Sequence, residues 1–100
     1  MMVLKEIRFD WDLWNVQKNE VKHGVSALEA ESCFFDEGLC LFEDLKHSTV
    51  KEKRYIAYGK SMESRILMVG FTVRRDKIRI ITARPTSKKE REVYEETEGN

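Results

Sequence analysis

Two alternating runs, RILMVGFTVR (65–74) and KIRIITAR (77–84), stand on either side of Arg75-Asp76 and constrain this chain more than any other feature. Branched and aromatic residues alternating with polar ones predict two strands, and a two-residue connection makes them pair antiparallel. With Arg75-Asp76 as the loop, Arg74 pairs with Lys77. Leu67, Val69, Phe71 and Val73 then share a face with Ile78 and Ile80. The opposite face carries Thr72, Arg74, Lys77 and Arg79, with room at Gly70 and Ala83. A loop one residue longer would turn one strand over and set isoleucines beside Arg74, because register and face are coupled. The apolar match selects the shorter loop. In that register Arg84 points to the apolar side at the strand's exit, where its long side chain can swing past the edge.

The hairpin belongs to a larger sheet. LCLFED (39–44) and KRYIAYG (53–59) read as strands, LKHSTVKE (45–52) as an exposed loop and SMES (61–64) as a turn. Such short connections predict an antiparallel meander. VLKEIRF (3–9) reads as one more short strand. Asp10 or Asp12 caps a helix running to His23, with Gly24 as its left-handed terminator. On the helical wheel Trp14, Val21 and Val25 fall together, with Trp11 and Lys18 beside them, which predicts an apolar stripe edged by lysine and a core position for Trp14. Ser26-Ala27-Leu28-Glu29 is a capping box with Val25 and Ala30 as its staple. It opens a second helix to about Phe35, and Gly38 follows as a stop. After Pro85, a second capping box (Ser87-Lys88-Lys89-Glu90) starts a C-terminal helix through Thr97, whose sizeable apolar groups are only Val93 and Tyr94. The expected architecture is α+β, a single domain over residues 1–100. An antiparallel β-meander packs against two N-terminal helices, with a C-terminal helix added and the helices on one sheet face.

Several function classes are excluded. No apolar run approaches the roughly 18 residues a membrane helix needs. The N-terminus MMVLKEIRFDWD carries charges where an export signal needs an apolar stretch, so a cytoplasmic location is expected. Cys33 and Cys40 form neither a CxxC pair nor a zinc set with His23 and His47, so reduced thiols, no metal and no cofactor are expected.

A formal net charge of zero conceals an asymmetry. Residues 1–50 hold five Lys/Arg against ten Asp/Glu, and residues 51–100 hold thirteen against eight. Residues 65–91 alone carry nine basic residues and two acids. Such a stretch can form an anion-attracting surface. The plainer reading is a strand surface kept charged against aggregation. The segment KNEVKHGV (18–25) poses the same choice: Lys18, Lys22 and His23 either complement a helix dipole or belong to a site.

Four stretches tip the balance: FDWDLWNVQKNEVKHGVS (9–26), KRYIAYG (53–59), FTVRRDKIRIITARP (71–85) and KKEREVYEE (88–96). In this order, over nearly the whole chain, they resemble the BrnT toxins of bacterial type II toxin–antitoxin systems, small ribonucleases with a RelE-like fold. Thr82 stands where that family commonly has serine, and Lys53 where it commonly has glutamate. The resemblance implies a metal-independent endoribonuclease that inhibits translation. It also implies a cognate BrnA-like, DNA-binding antitoxin that holds the toxin in a hetero-oligomer.

RNA carries its own nucleophile, the 2′-OH, so cleavage needs a base, an acid and cations for the phosphorane's charge. On the resemblance, Arg74 and Arg84 are expected to stabilise that charge, since a guanidinium fork matches two phosphate oxygens. Lys22 and His23 are expected in the catalytic region, His23 being the residue type suited to proton transfer near neutrality. Lys18, Arg79 and Arg54 are expected to bind substrate. Trp11 can stack a base and Tyr94 can serve as a stacking group or proton donor, or both can be structural. The competing expectation, from another class, is a non-catalytic RNA-binding or protein-interaction module using the same basic face.

Overall fold

The computed structural model describes residues 7–98. Strand β1 (Phe9–Asp10) leads into helix α1 (Leu13–His23), helix α2 (Ala27–Ser32) and a 3₁₀ turn (Cys33–Phe35). Strands β2 (Cys40–Glu43), β3 (Arg54–Lys60), β4 (Ile66–Arg74) and β5 (Lys77–Pro85) follow, then helix α3 (Lys88–Glu98). The sheet order is β1-β5-β4-β3-β2, an antiparallel meander with β1 added parallel to β5. Most of the strand expected over residues 3–9 lies outside the described residues; its last position, Phe9, pairs with Ile78.

The hairpin register is the expected one at its tip. Arg74 pairs with Lys77, and Arg75 and Asp76 take φ of 50° and 65°, the left-handed pair that lets a two-residue turn match strand twist. Further down, the ladder departs from simple alternation. Phe71 faces Ile80 but Gly70 faces Thr82, so Ile81 is an extra residue in β5. A bulge of this kind exchanges the faces of everything after it. Ala83, expected on the open face, is instead fully buried opposite Val69. Arg84, expected on the core side, is opposite Met68 on the open face.

The core lies between the sheet and α1, α2 and the 3₁₀ turn. Val25, Ala30, Cys33 and Phe34 pack on Ala57, Leu67, Val69, Phe71, Ile80 and Ala83. Phe34 meets Phe71 edge-on at 5.1 Å and Phe9 at 5.5 Å. Gly59 admits this packing: a Cβ there would sit 2.8 Å from the Cys33 carbonyl oxygen. The two cysteines are free, and burial pushes the Cys33 thiol up to about 12.

α1 begins and ends as its sequence dictates. Asp12 accepts from the Trp14 amide, and Gly24 closes the helix at φ 65°. Its orientation is not the expected one. Trp14 and Val21 are exposed (71% and 89%), and the face turned inward carries Asn19, whose Oδ1 accepts from the Ala83 N–H of β5. Trp14 is therefore not a core residue. α1 docks by satisfying a strand amide beyond the end of β1, and the helical wheel has no means of registering that demand. The Asn19 Nδ2 is buried without a partner among the described residues.

The first capping box is half formed. Ser26 Oγ accepts from the Glu29 amide, but the Glu29 carboxylate turns away to Arg65 and Ser61. Arg65 grips both carboxylate oxygens at 2.7 Å and donates to the Gly24 carbonyl at 2.7 Å, tying the α1–α2 corner to β4. The second box is complete, with Ser87 N–H donating to Glu90 and Glu90 N–H to Ser87 Oγ. α3 is also better anchored than its composition suggests. Tyr94 is fully buried and donates to Asp36 at 2.6 Å, and Glu90 clamps Arg84 on the open face. The helices therefore do not all share one face: α3 covers the β3 end of the opposite side.

Glu29 is the point of greatest sensitivity. Arg65→Ala is expected to cost about 2–4 kcal/mol, because it strands a nearly dry carboxylate. The Arg65 hydrogen bonds hold the Glu29 carboxyl below its usual range. Its contribution is thus complete above the ordinary glutamate pKa and is lost as pH falls through the lowered folded value. Denaturant melts of Glu29→Gln across the acid range should show a flatter decline than the parent.

Candidate active cleft on the open sheet face

With Arg84 re-aimed, the open face holds a cleft of about 380 Å³. Ile56, Met68 and Gly70 form its floor, Ile81 and Thr82 line one wall, and Arg54 and Arg84 stand at its sides. The β2–β3 loop supplies the rim, with Asp44, Lys46 and His47. Gly70 leaves the floor low, since a Cβ there would touch only the Thr82 Cβ at 3.7 Å.

The loop holds its rim residues by local hydrogen bonds. Asp44 N–H donates to the Arg54 carbonyl at 2.7 Å, Ser48 Oγ donates to the Asp44 carbonyl at 2.7 Å, and Arg54 N–H donates to Ser48 Oγ at 2.9 Å. His47 Nδ1 lies 2.8 Å from Asp44 Oδ2. Desolvation works against the Asp44 carboxylate, but hydrogen bonds from the His47 side chain and backbone outweigh it and hold its pKa below the usual range. An ionised carboxylate only accepts, so Nδ1 carries the proton and Nε2 is the proton-accepting nitrogen of the neutral ring. This pair was invisible to motif spacing. The sequence signal available was His47 three residues after Asp44 in a polar loop.

Carboxylates orient each arginine. Arg84 is held by both Glu90 oxygens at 2.8 Å, a fork-to-fork contact that raises the arginine's pKa and lowers the acid's. Glu52 bridges two arginines, taking Arg54 by Nε at 2.9 Å and Arg74 at 2.8 Å, and their hydrogen bonds lower its pKa. Arg79 pairs with Asp10 at 2.9 Å.

The expected site residues thus divide. Arg54 and Arg84 share the cleft. Arg74 and Arg79 line a separate depression at the hairpin. Arg74 is six residues along β4 from Met68, the partner of Arg84, which separates the two arginines by roughly 20 Å. They cannot grip one phosphate together. Lys18, Lys22 and His23 lie on α1, on the helical side of the sheet, and none lines the cleft. Trp11, half-buried, packs against the core and donates to Glu31 at 2.6 Å, and it does not line the cleft. Tyr94 is the buried anchor of α3.

A small α+β domain with preset guanidinium groups and a histidine–aspartate pair around an open cleft has donors that suit an anion. The comparisons identify the family. The family model described as "Ribonuclease toxin, BrnT, of type II toxin-antitoxin system" matches residues 11–90. The chain belongs to this family, and membership carries an RNA target and an antitoxin partner. The crystal structure of the Brucella abortus ribonuclease toxin BrnT has a similar fold, with a TM-score of 0.59 at 24% identity, covering 82% of this chain and 99% of that one. No curated protein matches the sequence. Among the described residues no helix is long and apolar enough to cross a membrane.

Glu90 serves both the site and the fold. Glu90→Ala removes one half of the capping box and the Arg84 clamp, and is expected to cost about 1–2 kcal/mol with fraying of α3. Glu90→Gln, which keeps an acceptor for the cap, should cost less. Circular dichroism melts of the two variants measure the difference.

Proposed function

We propose that the chain is a metal-independent endoribonuclease, acting in the cytoplasm, that cleaves RNA in the open-face cleft and so inhibits translation until a BrnA-like antitoxin binds it in a hetero-oligomer. The observation that carries this reading is the Asp44-oriented His47 at the rim of a cleft flanked by Arg54 and Arg84. His47 Nε2 accepts the proton of the 2′-OH, whose oxygen bonds to phosphorus as the P–O5′ bond breaks. Arg54 and Arg84 take the phosphorane's added charge. Lys46, on the same rim, returns a proton to the leaving 5′ oxygen. The products are a 2′,3′-cyclic phosphate and a 5′-hydroxyl end. The cleft's donor groups are guanidinium, ammonium and imidazole, which suit an anion better than a metal ion, and its one rim carboxylate is engaged by His47.

This reading moves proton transfer from His23 to His47. Lys22 and His23 close α1 against its dipole and shape the corner before Gly24.

Purified protein incubated with RNA in EDTA should generate 2′,3′-cyclic phosphate ends. Binding without new ends would favour the non-catalytic module. His47→Gln, Arg54→Gln and Arg84→Lys should each lower the rate by about 100-fold or more while the domain stays folded. Gly70→Leu, which fills the floor, should abolish cleavage without loss of stability.

His23→Gln and Lys22→Gln should lower stability by about 0.3–1 kcal/mol and leave the rate per folded molecule at the parental value. A rate collapse in His23→Gln, with His47→Gln active, would return the chemistry to the α1 corner.

A further inference from the structure

The second depression on the basic face has no role in the chemistry just described. It has a volume of about 430 Å³ and is lined by Asp10, Arg74, Arg75, Lys77 and Arg79 at the hairpin end of the sheet. Its charge balance differs from that of the cleft. Asp10 is its single carboxylate and is taken by Arg79, while Arg74 is taken by Glu52 from the side. Arg75 and Lys77 have no ion-pair partner among the described residues and stand exposed at the turn, on either side of Asp76. Every other arginine of the hairpin is held by an acid. Here Arg74, Arg75, Lys77 and Arg79 outnumber Asp10, Glu52 and Asp76 by one, in a concave site on the face that carries the cleft.

We propose that this depression is a second phosphate subsite for the same RNA strand, so that the substrate is an extended single strand running along β4 and β5 from cleft to hairpin. The inference rests on the reading of the cleft as the RNA site. The outer arginines of the two sites, Arg84 and Arg74, lie roughly 20 Å apart along the strands, since six residues separate Arg74 from Met68, and Arg54, opposite Thr72, stands between them. A strand bridging them has a footprint of about four nucleotides or more, the lower end of the range for single-strand-binding surfaces. The cleft alone takes the scissile phosphate, and the hairpin adds affinity and direction without touching the reacting atoms. A rigid duplex is a poorer occupant, because its phosphates follow a helical path that a sheet face this small meets only locally.

The test uses uncleavable 2′-O-methyl RNA, so that binding is read apart from catalysis. Fluorescence anisotropy compares a short oligomer of about three nucleotides with one of about ten, for the parent and for the Arg75→Gln/Lys77→Gln double variant. The parent should bind the longer strand roughly tenfold or more tightly, and the double variant should lose most of that gain. The salt dependence for the long strand should become shallower by about 0.7 per lost phosphate contact. Equal affinities for the two lengths in the parent, or a length gain fully kept in the variant, would overturn the proposal. Cleavage of the matching unmodified oligomers reports separately on the cleft: a length gain without cutting keeps the track and removes the ribonuclease mechanism. Cutting without a length gain does the reverse.

Discussion

Ile81 is one residue more than the β4–β5 ladder accommodates, and the character of both sheet faces follows from it. Without the insertion, strict alternation would direct Arg84 into the helices and Ala83 toward solvent. With it, a small residue faces the core and the guanidinium reaches Glu90 on the open side. The exchange also feeds the placement of α1, because the Ala83 N–H is the group that Asn19 satisfies. A charged side chain forced inward would cost far more than the local disruption of a bulge, so the register is firmly determined. Core, cleft and first helix thus share a dependence on one backbone irregularity, and that irregularity sits in the wall of the cleft.

What was legible in the sequence was what local chemistry controls. The two-residue turn, the Asp12 and Ser87 caps, the Gly24 terminator and the β2–β5 meander follow from short-range rules, and the structure carries them as expected. The parallel pairing of β1 with β5 does not follow from them. What was not legible depended on partners distant in sequence. The bulge has no composition signal, because isoleucine at three of the positions from 78 to 81 suits either face. The α1 wheel was misread for a related reason. It weighs side chains by hydropathy, whereas the docking of α1 was decided by a backbone donor at the edge of β5. Asn19 answers that donor while its own Nδ2 has no partner among the described residues, and Trp14 and Val21 are left outward. The histidine–aspartate pair carries no such signal, because His47 lies in a polar loop without motif spacing, whereas His23 lies in a recognisable helix corner.

The charge segregation of the sequence does not survive folding as a simple basic surface. Arg65, Arg74, Arg79 and Arg84 all lie in the stretch of concentrated positive charge, yet each is held by an acid: Glu29, Glu52, Asp10 and Glu90. Two of those acids come from the acidic first half of the chain, so the halves neutralise each other across the sheet. Long-range attraction for RNA is correspondingly modest near the cleft. The gain is orientation, since a guanidinium fixed by a bidentate carboxylate loses little freedom when an anion arrives.

That arrangement sets the terms on which a substrate competes. Around the cleft, Arg54, Arg84 and Lys46 are opposed by Glu52, Glu90 and Asp44, which leaves three positive charges against three negative. A single phosphate meeting no net surplus gains mainly from preset donors, such as the outer nitrogens of an Arg54 that Glu52 holds by Nε alone. A strand with several phosphates can draw in addition on Arg75 and Lys77 of the hairpin, which have no ion-pair partner among the described residues, with each contact releasing counterions. Selectivity for a polymer over a mononucleotide therefore arises from where charge is left unpaired, while the catalytic groups keep their geometry through pairs that neutralise them.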